Sequence, residues 1–429
     1  MTLPGYAPDL TAYKQWALIA GTEGIHTIYD RSTYDYPPLY AYILAPIGQI
    51  YAALSPEAIE GFAETRRYGD SAVFSILVKL PPVAFNVLIA FLLASLAWRF
   101  GMWTGRTTGR GWWPALLFLF LPPVLFDSAY WGQPDSVHSC SLLLALTLIL
   151  VGKPELGWVS AALACLMKPL AVPFLPLLVL ATLVRSGWTR LATGGLAALA
   201  TALAVFLPFI LSGRGALAYQ RLFRDVGLMP YTSVNGHNVW WLIGPWQRAD
   251  QPWMGPVTAT TVGLVLFGIA YLAILFYVWR TERERTGRAW TIGRGSQPLA
   301  TQHHWYLAGA AVAFSFFALS THMHENHLYT VLPFLTLLAG LGSRWLLFAL
   351  LVAAGAFVNM ATHDLALADA FLGTAGGPSG WLHPDLGRPF SRVELGLAVG
   401  NSIFLVALFA TMFLWMFRRP SAREQAGNG

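Results

Sequence analysis

Charge is what this sequence has least of. Of its 429 residues 11% are Asp, Glu, Lys or Arg, where soluble domains carry about a quarter. That shortage excludes a water-covered domain anywhere along the chain. Lysine is nearly missing, 4 against 23 arginines, a skew that suggests codon bias more than function. There are two cysteines, Cys140 and Cys165, both inside apolar runs. They exclude a disulfide framework and leave buried thiols. No Gly-rich nucleotide-binding loop, internal repeat or signal-peptide pattern is visible.

What is present is apolar. Residues of hydrophobic type make up 56% of the chain, and many runs exceed the roughly 18 residues that read as spanning helices. Eighteen Trp and 16 Tyr suit interfacial belts. The expected fold is an all-α polytopic membrane protein, one unit over 1–429. Residues 1–70 form a large extracytoplasmic loop, 71–418 a helical bundle and 419–429 a cytoplasmic tail. The net charge of +6 then concerns orientation, not nucleic acid.

The run Ser71 to Trp98 reads as a crossing broken at Lys79-Leu80-Pro81-Pro82. Further crossings are expected near 114–130, 136–151, 157–168, 170–184, 191–211, 257–280, 304–321, 327–342, 345–362 and 393–418, about 11 in all. With 1–70 outside and 39–54 lying in the interface, 15 of the 27 basic residues fall on short inner segments. These are Arg99, Arg106, Arg110, Lys153, Arg185, Arg190, Arg280, Arg283, Arg285, Arg288, Arg294, Arg344, Arg418, Arg419 and Arg423. A crossing at 39–54 would invert every one of them, against the positive-inside rule.

Two short helices precede the first crossing. In the first, Asp9 sits at an N-cap position after Pro8, Tyr13, Trp16, Ala17 and Ala20 share a face, and Gly21 and Gly24 stop it. The second opens at Asp35-Tyr36-Pro37-Pro38, with the prolines in its first turn. The other unusual polar residues fall on the same outer side. They are Trp131-Gly132-Gln133-Pro134-Asp135-Ser136, the Lys168-Pro169 break, the loop 213–256, and Thr321-His322-Met323-His324-Glu325-Asn326-His327. Each has a structural alternative: Asp9 and Asp135 as caps, Trp131 as an interfacial anchor, Lys79 and Lys168 snorkelling to headgroups. Intramembrane lysines are otherwise functional candidates. Three histidines and a glutamate also suggest metal, but His322 and His324 lie on different helical faces and the two-His zincin spacing is missing.

The Asp9-to-Trp16 spacing and the Asp35-Tyr36-Pro37-Pro38-Leu39-Tyr40-Ala41-Tyr42 block resemble the first extracytoplasmic loop of the GT-C superfamily. Those are multi-spanning glycosyltransferases that use polyprenyl-phosphate sugars. The block is similar to that of the dolichyl-phosphate-glucose glucosyltransferases of N-glycan assembly, and bacterial mannosyltransferase-like proteins carry a looser version. Trp131-Gly132-Gln133-Pro134-Asp135-Ser136, Lys79-Leu80-Pro81, His324-Glu325 and Ser233-Val234-Asn235-Gly236-His237-Asn238-Val239-Trp240 resemble further family motifs. Asn326 departs from the pattern, standing where a basic residue usually does. Members carry a spanning helix ahead of this loop; here none precedes Asp9. Either the true start lies upstream or the chain dispenses with it.

The resemblance implies an inverting transfer of a hexose, mannose or glucose, from a polyprenyl-phosphate carrier to a glycan, lipid-linked or protein acceptor. It places the reaction at the outer face of a bacterial plasma membrane. Asp9 is the expected general base. Asp35, Tyr36, Lys79, Gln133, Asp135, Lys168, Asn235, Asn238, His324 and Glu325 are expected to bind substrate. Arg221 and Arg224 are candidates for an acceptor pyrophosphate or for anionic headgroups. Membrane lipids are expected partners, and no metal or other cofactor is expected. Two alternatives stay open: a transporter or flippase of lipid-linked sugars, and a glycan polymerase or ligase.

Overall fold

The computed structural model describes residues 3, 5–100, 112–223, 229–286, 293, 301–372, 375–383 and 388–418. Arg106, Arg110, Arg224, Arg288, Arg294, Arg419, Arg423 and the tail 419–429 lie outside the described residues. In order, the helices of eight residues or more are α1 Ala7–Leu18, α2 Leu39–Leu54, α3 Ala72–Arg99, α4 Trp113–Phe120, α5 Asp135–Leu150, α6 Pro154–Met167, α7 Leu175–Leu211, α8 Gly215–Phe223, α9 Ala259–Thr286, α10 His303–Leu319, α11 Val331–Ala339, α12 Ser343–His363 and α13 Arg392–Phe417. The all-α expectation needs one amendment. Two antiparallel hairpins are present, β1 Pro252–Met254 with β2 Val257–Thr258, and β3 Pro378–His383 with β4 Arg388–Ser391.

Among the described residues five helical stretches are long and apolar enough to cross a membrane: Ala72–Arg99, Pro169–Leu211, Ala259–Arg285, Ser343–His363 and Arg392–Phe417. Trp113–Phe120 and Pro122–Trp131, bent by 59°, make a sixth if taken as one span. This is fewer than the expected 11. The runs at α2, α5, α6 and His327–Ala339 are apolar but only 10–17 residues long. Polar turns at Asp135, Lys168 and His327 take their ends.

The bend follows from Pro122-Pro123, which lack amide donors; Leu121 before them is extended, at φ −62° and ψ 128°. Pro81 and Pro82 do not have that effect. Contrary to the expected break, α3 runs unbroken through both, and the Pro82 carbonyl accepts a bond from Ser136 Oγ at 2.8 Å. Within α7 the helical geometry fails at Gly187, φ 81° and ψ −178°, a conformation glycine adopts without a Cβ clash. The helix kinks there. Arg185 before the break pairs with Glu282 on α9, whereas beyond it the Val205 carbonyl accepts from Tyr42 and Arg214 pairs with Asp30.

The N-terminal segment packs on the bundle as a separate aromatic core. Tyr13, Trp16, Tyr29, Tyr34 and Tyr40 are buried there, with Trp16 and Tyr34 edge to face at 5.0 Å. α1 and α2 cross in close contact at Gly48, where a Cβ would fall 1.8 Å from the Ala17 carbonyl oxygen. The segment is tied to α3 by Tyr51 stacked on Phe74 at 3.9 Å, and buried Lys14 pairs with Asp70 at 2.5 Å. Two expectations about helix starts are corrected. Tyr6 is the residue before α1, so Asp9 lies within the first turn and is not the cap. The second helix begins at Leu39, so Pro37 and Pro38 precede it and the extended stretch before them holds Asp35.

Candidate functional site

Asp9 meets the turn that follows the bent helix. Residues Phe126–Trp131 form a wide π-turn that ends at Gly132, φ 82°. The Gln133 amide then donates to the Asp127 carbonyl at 2.9 Å. This turn aims the Gln133 side chain at α1. Its Nε2 donates to Asp9 Oδ2, and its Oε1 accepts from the Tyr13 hydroxyl at 2.9 Å. Tyr13 in turn meets the Tyr36 hydroxyl at 3.2 Å.

On the far side of Tyr36 stands a buried ion pair. Lys168 Nζ lies 2.7 Å from Asp135 Oδ1 and 5.9 Å from the centre of the Tyr36 ring. Lys168 closes α6, and Asp135 occupies the first turn of α5 after Pro134, so it is not that helix's cap. Asn326 Nδ2 donates to Asp135 Oδ2 at 2.7 Å. A neutral residue at 326 suits this place, because Lys168 already supplies the positive charge. Asp9, Tyr36, Gln133, Asp135 and Lys168, taken from four separate stretches of sequence, thus form one continuous polar line.

The electrostatics of the line are uneven. Burial pushes the Asp9 carboxyl up to about 7, with Asp35 and Asp135 adding to the rise and Lys168 and the Gln133 amide opposing it. Asp35 stands exposed at the rim, and the protein around it raises its carboxyl too, against its own backbone amide and Lys168. His324 borders Lys168 and Asp135, and burial first, then Lys168, lowers it to about 4. It is therefore neutral at pH 7. A phosphate would find a hydrogen-bond donor there and no positive charge. The His324 amide donates to His327 Nδ1 at 3.2 Å. Glu325 is buried beside them. Among the described residues no group of three or more His, Cys, Asp or Glu is placed to hold a metal ion.

Other expected site residues hold the scaffold. Lys79 is fully buried, and its Nζ donates to the Leu3 carbonyl at 2.8 Å, pinning the N-terminal segment to α3. Asn238 caps the short helix Val239–Ile243. Its Oδ1 accepts from the amides of Trp240 and Trp241 at 3.0 and 3.2 Å, and its Nδ2 donates to the carbonyls of Phe317 and Ser320. Asn235, at φ 66°, accepts from Trp246 Nε1 on its side chain and from Asn359 Nδ2 on its carbonyl. These bonds brace the middle loop against 321–323, where Val234 and Gly236 both donate to the Met323 carbonyl. Trp131 is not an interfacial anchor. It is fully buried and donates to Asp364 Oδ2 at 2.6 Å. Arg214 pairs with Asp30, away from this line.

Three features were missed in the sequence. Tyr13 is four residues from Asp9, so α-helical spacing put the two on one face. Asp127 is fully buried beside Asp135, among the described residues neither of its carboxyl oxygens meets an N–H or hydroxyl donor, and nothing in its sequence neighbours signals that. His237 meets His363 Nε2 to Nε2 at 2.9 Å, a pair that only the tertiary fold brings together.

A cavity of about 610 Å³ opens beside the site, nearly all apolar, lined by Leu3, Leu125, Phe126, Tyr130 and Phe357. Tyr130 lies within the π-turn that leads into Gln133. No protein-family model matches the chain, and no curated protein matches it.

Proposed function

We propose that this protein is an integral membrane glycosyltransferase of GT-C type. It moves a hexose from a polyprenyl-phosphate carrier to an acceptor hydroxyl at the extracytoplasmic face of a bacterial plasma membrane, with inversion. The observation that carries this reading is the line from Asp9 to Lys168: a carboxylate poised near neutrality, joined through Gln133, Tyr13 and Tyr36 to a buried lysine. Such a carboxylate has a basicity suited to proton transfer at pH 7. As the acceptor oxygen attacks the anomeric carbon, its proton passes to Asp9. The bond from that carbon to the phosphate oxygen breaks, and polyprenyl phosphate leaves with the electron pair. A phosphate leaves as an anion, so it needs charge stabilisation, which Lys168 is placed to give. The adjoining apolar cavity suits the first isoprene units of the carrier. In this reading the shorter apolar helices complete a set of about 11 crossings, and α2 lies in the outer interface.

Incubating the purified protein with polyprenyl-phosphate mannose or glucose and a membrane lipid extract should yield a glycosylated product by mass spectrometry. Donor recovered intact with both sugars sinks the proposal. Orientation has its own test. In a background without Cys140 and Cys165, a Ser55→Cys variant should react with an impermeant maleimide from outside intact cells. Reaction only after permeabilisation would place the site on the wrong side. Transfer should also survive a chelator, because Lys168 supplies the charge that a divalent ion otherwise would; loss in chelator with rescue by a divalent ion would refute that.

A further inference from the structure

We infer that Tyr13 and Gln133 form a hydroxyl–amide latch that orients Asp9, which makes both of them positioning residues for that carboxylate. The inference rests on Asp9 being the working carboxylate of the proposed site. An amide side chain has one face that only accepts and one that only donates. Which of them meets Asp9 decides whether Gln133 supports the carboxylate or repels it. Tyr13 is buried at 2% exposure, and its hydroxyl meets two groups among the described residues, Gln133 Oε1 and Tyr36 Oη. It has one proton. Gln133 Oε1 cannot donate, so Tyr13 gives its proton to Gln133 and accepts from Tyr36. Every bond then points the same way, from Tyr36 through Tyr13 and Gln133 to Asp9.

With Oε1 held by Tyr13, Nε2 is turned to Asp9 Oδ2. Among the described residues no donor reaches Oδ1, which leaves that oxygen for an incoming hydroxyl. Without the Tyr13 hydroxyl the amide is free to rotate, and its carbonyl oxygen would then oppose the carboxylate. Other groups facing Asp9 are Lys168 from the end of α6, Asp35 from the loop before α2, Asp127 from the π-turn, Asp135 from α5, and the hydroxyls of Tyr36 and Tyr40. Of these Lys168 and the Gln133 amide favour the ionised form. Losing the amide therefore moves the titration of Asp9 upward.

The test reads the carboxyl itself. Infrared difference spectra of the full-length protein against pH, with an Asp9→Asn sample to identify the Asp9 carbonyl band, give its midpoint. Gln133→Leu and Tyr13→Phe should each shift the midpoint to higher pH by about one unit or more, the size of a charge-assisted hydrogen bond. Tyr36→Phe should leave it in place, because Tyr13 still donates to Gln133. Thermal melts check that Tyr13→Phe, which removes one oxygen, is folded. A Tyr13→Phe midpoint equal to wild type overturns the latch, as does a Tyr36→Phe shift as large as that of Gln133→Leu. Transfer activity is not the readout, so the two readings fail separately. Shifts without sugar transfer retain the latch and reject the enzyme; transfer without shifts does the reverse.

Discussion

An Asp9→Asn protein is expected to fold and to transfer no sugar. The amide keeps the shape of the carboxylate but cannot take a proton, and a positioned base contributes on the order of a hundredfold to ten-thousandfold. Asp9 is not the cap of α1, so no helix-capping bond is lost. Stability should even gain. The folded state raises the Asp9 carboxyl from 3.8 to about 7. Between those values the folded state binds the proton more tightly than the unfolded chain does. Stability from this group is therefore greatest at low pH and falls as pH rises toward 7. Asn removes that loss. Wild-type transfer has the opposite slope and rises with pH through about 7 as Asp9 ionises. Asp35→Asn, at the exposed rim, should cost less. Near wild-type turnover by Asp9→Asn would reject it as the base and turn attention to Asp35 or Asp135.

Breaking the Lys168–Asp135 pair should have the largest effect on stability. Asp135 is fully buried and Lys168 nearly so. Lys168→Met leaves a buried carboxylate facing Asn326 and the buried His138 ring, with no cation paired to it among the described residues, and removal of one partner of a buried pair costs about 3–5 kcal/mol. Thermal unfolding in detergent should show the loss. The paired change, Lys168→Met with Asp135→Leu, should recover most of it, because a buried ion pair can often be replaced by apolar side chains at little cost. Transfer should stay lost in the double variant, since the cation near Tyr36 is gone. A double variant with normal transfer would make Lys168 a purely structural residue.

Local chemistry made much of this legible. Asp9, Gln133, Asp135 and Lys168 stood out because a carboxylate, an amide or an ammonium beside long apolar runs has few structural reasons to be there. Helical spacing also offered Tyr13. Lys79, Asn235 and Asn238 stood out by the same reasoning, and the fold gives them bracing partners as well: the Leu3 carbonyl for Lys79, Trp246 Nε1 for the Asn235 side chain, and a helix end with two carbonyls for Asn238. Pro81-Pro82 looked like a break and was not, whereas Pro122-Pro123 was one. Proline states only that donors are missing; the neighbouring helices decide whether the axis turns. The span count depended on where polar turns cut apolar runs, and hydropathy alone smooths those turns over.

The buried bond from Trp131 to Asp364 gives the site an unexpected dependence. It fastens the turn that presents Gln133 to the residue just past α12, 233 positions further along the chain. The turn that hands Asp9 its amide donor is thus braced by a residue from the last quarter of the chain. Two fragments made separately, cut anywhere between 131 and 364, would have no finished centre until they dock.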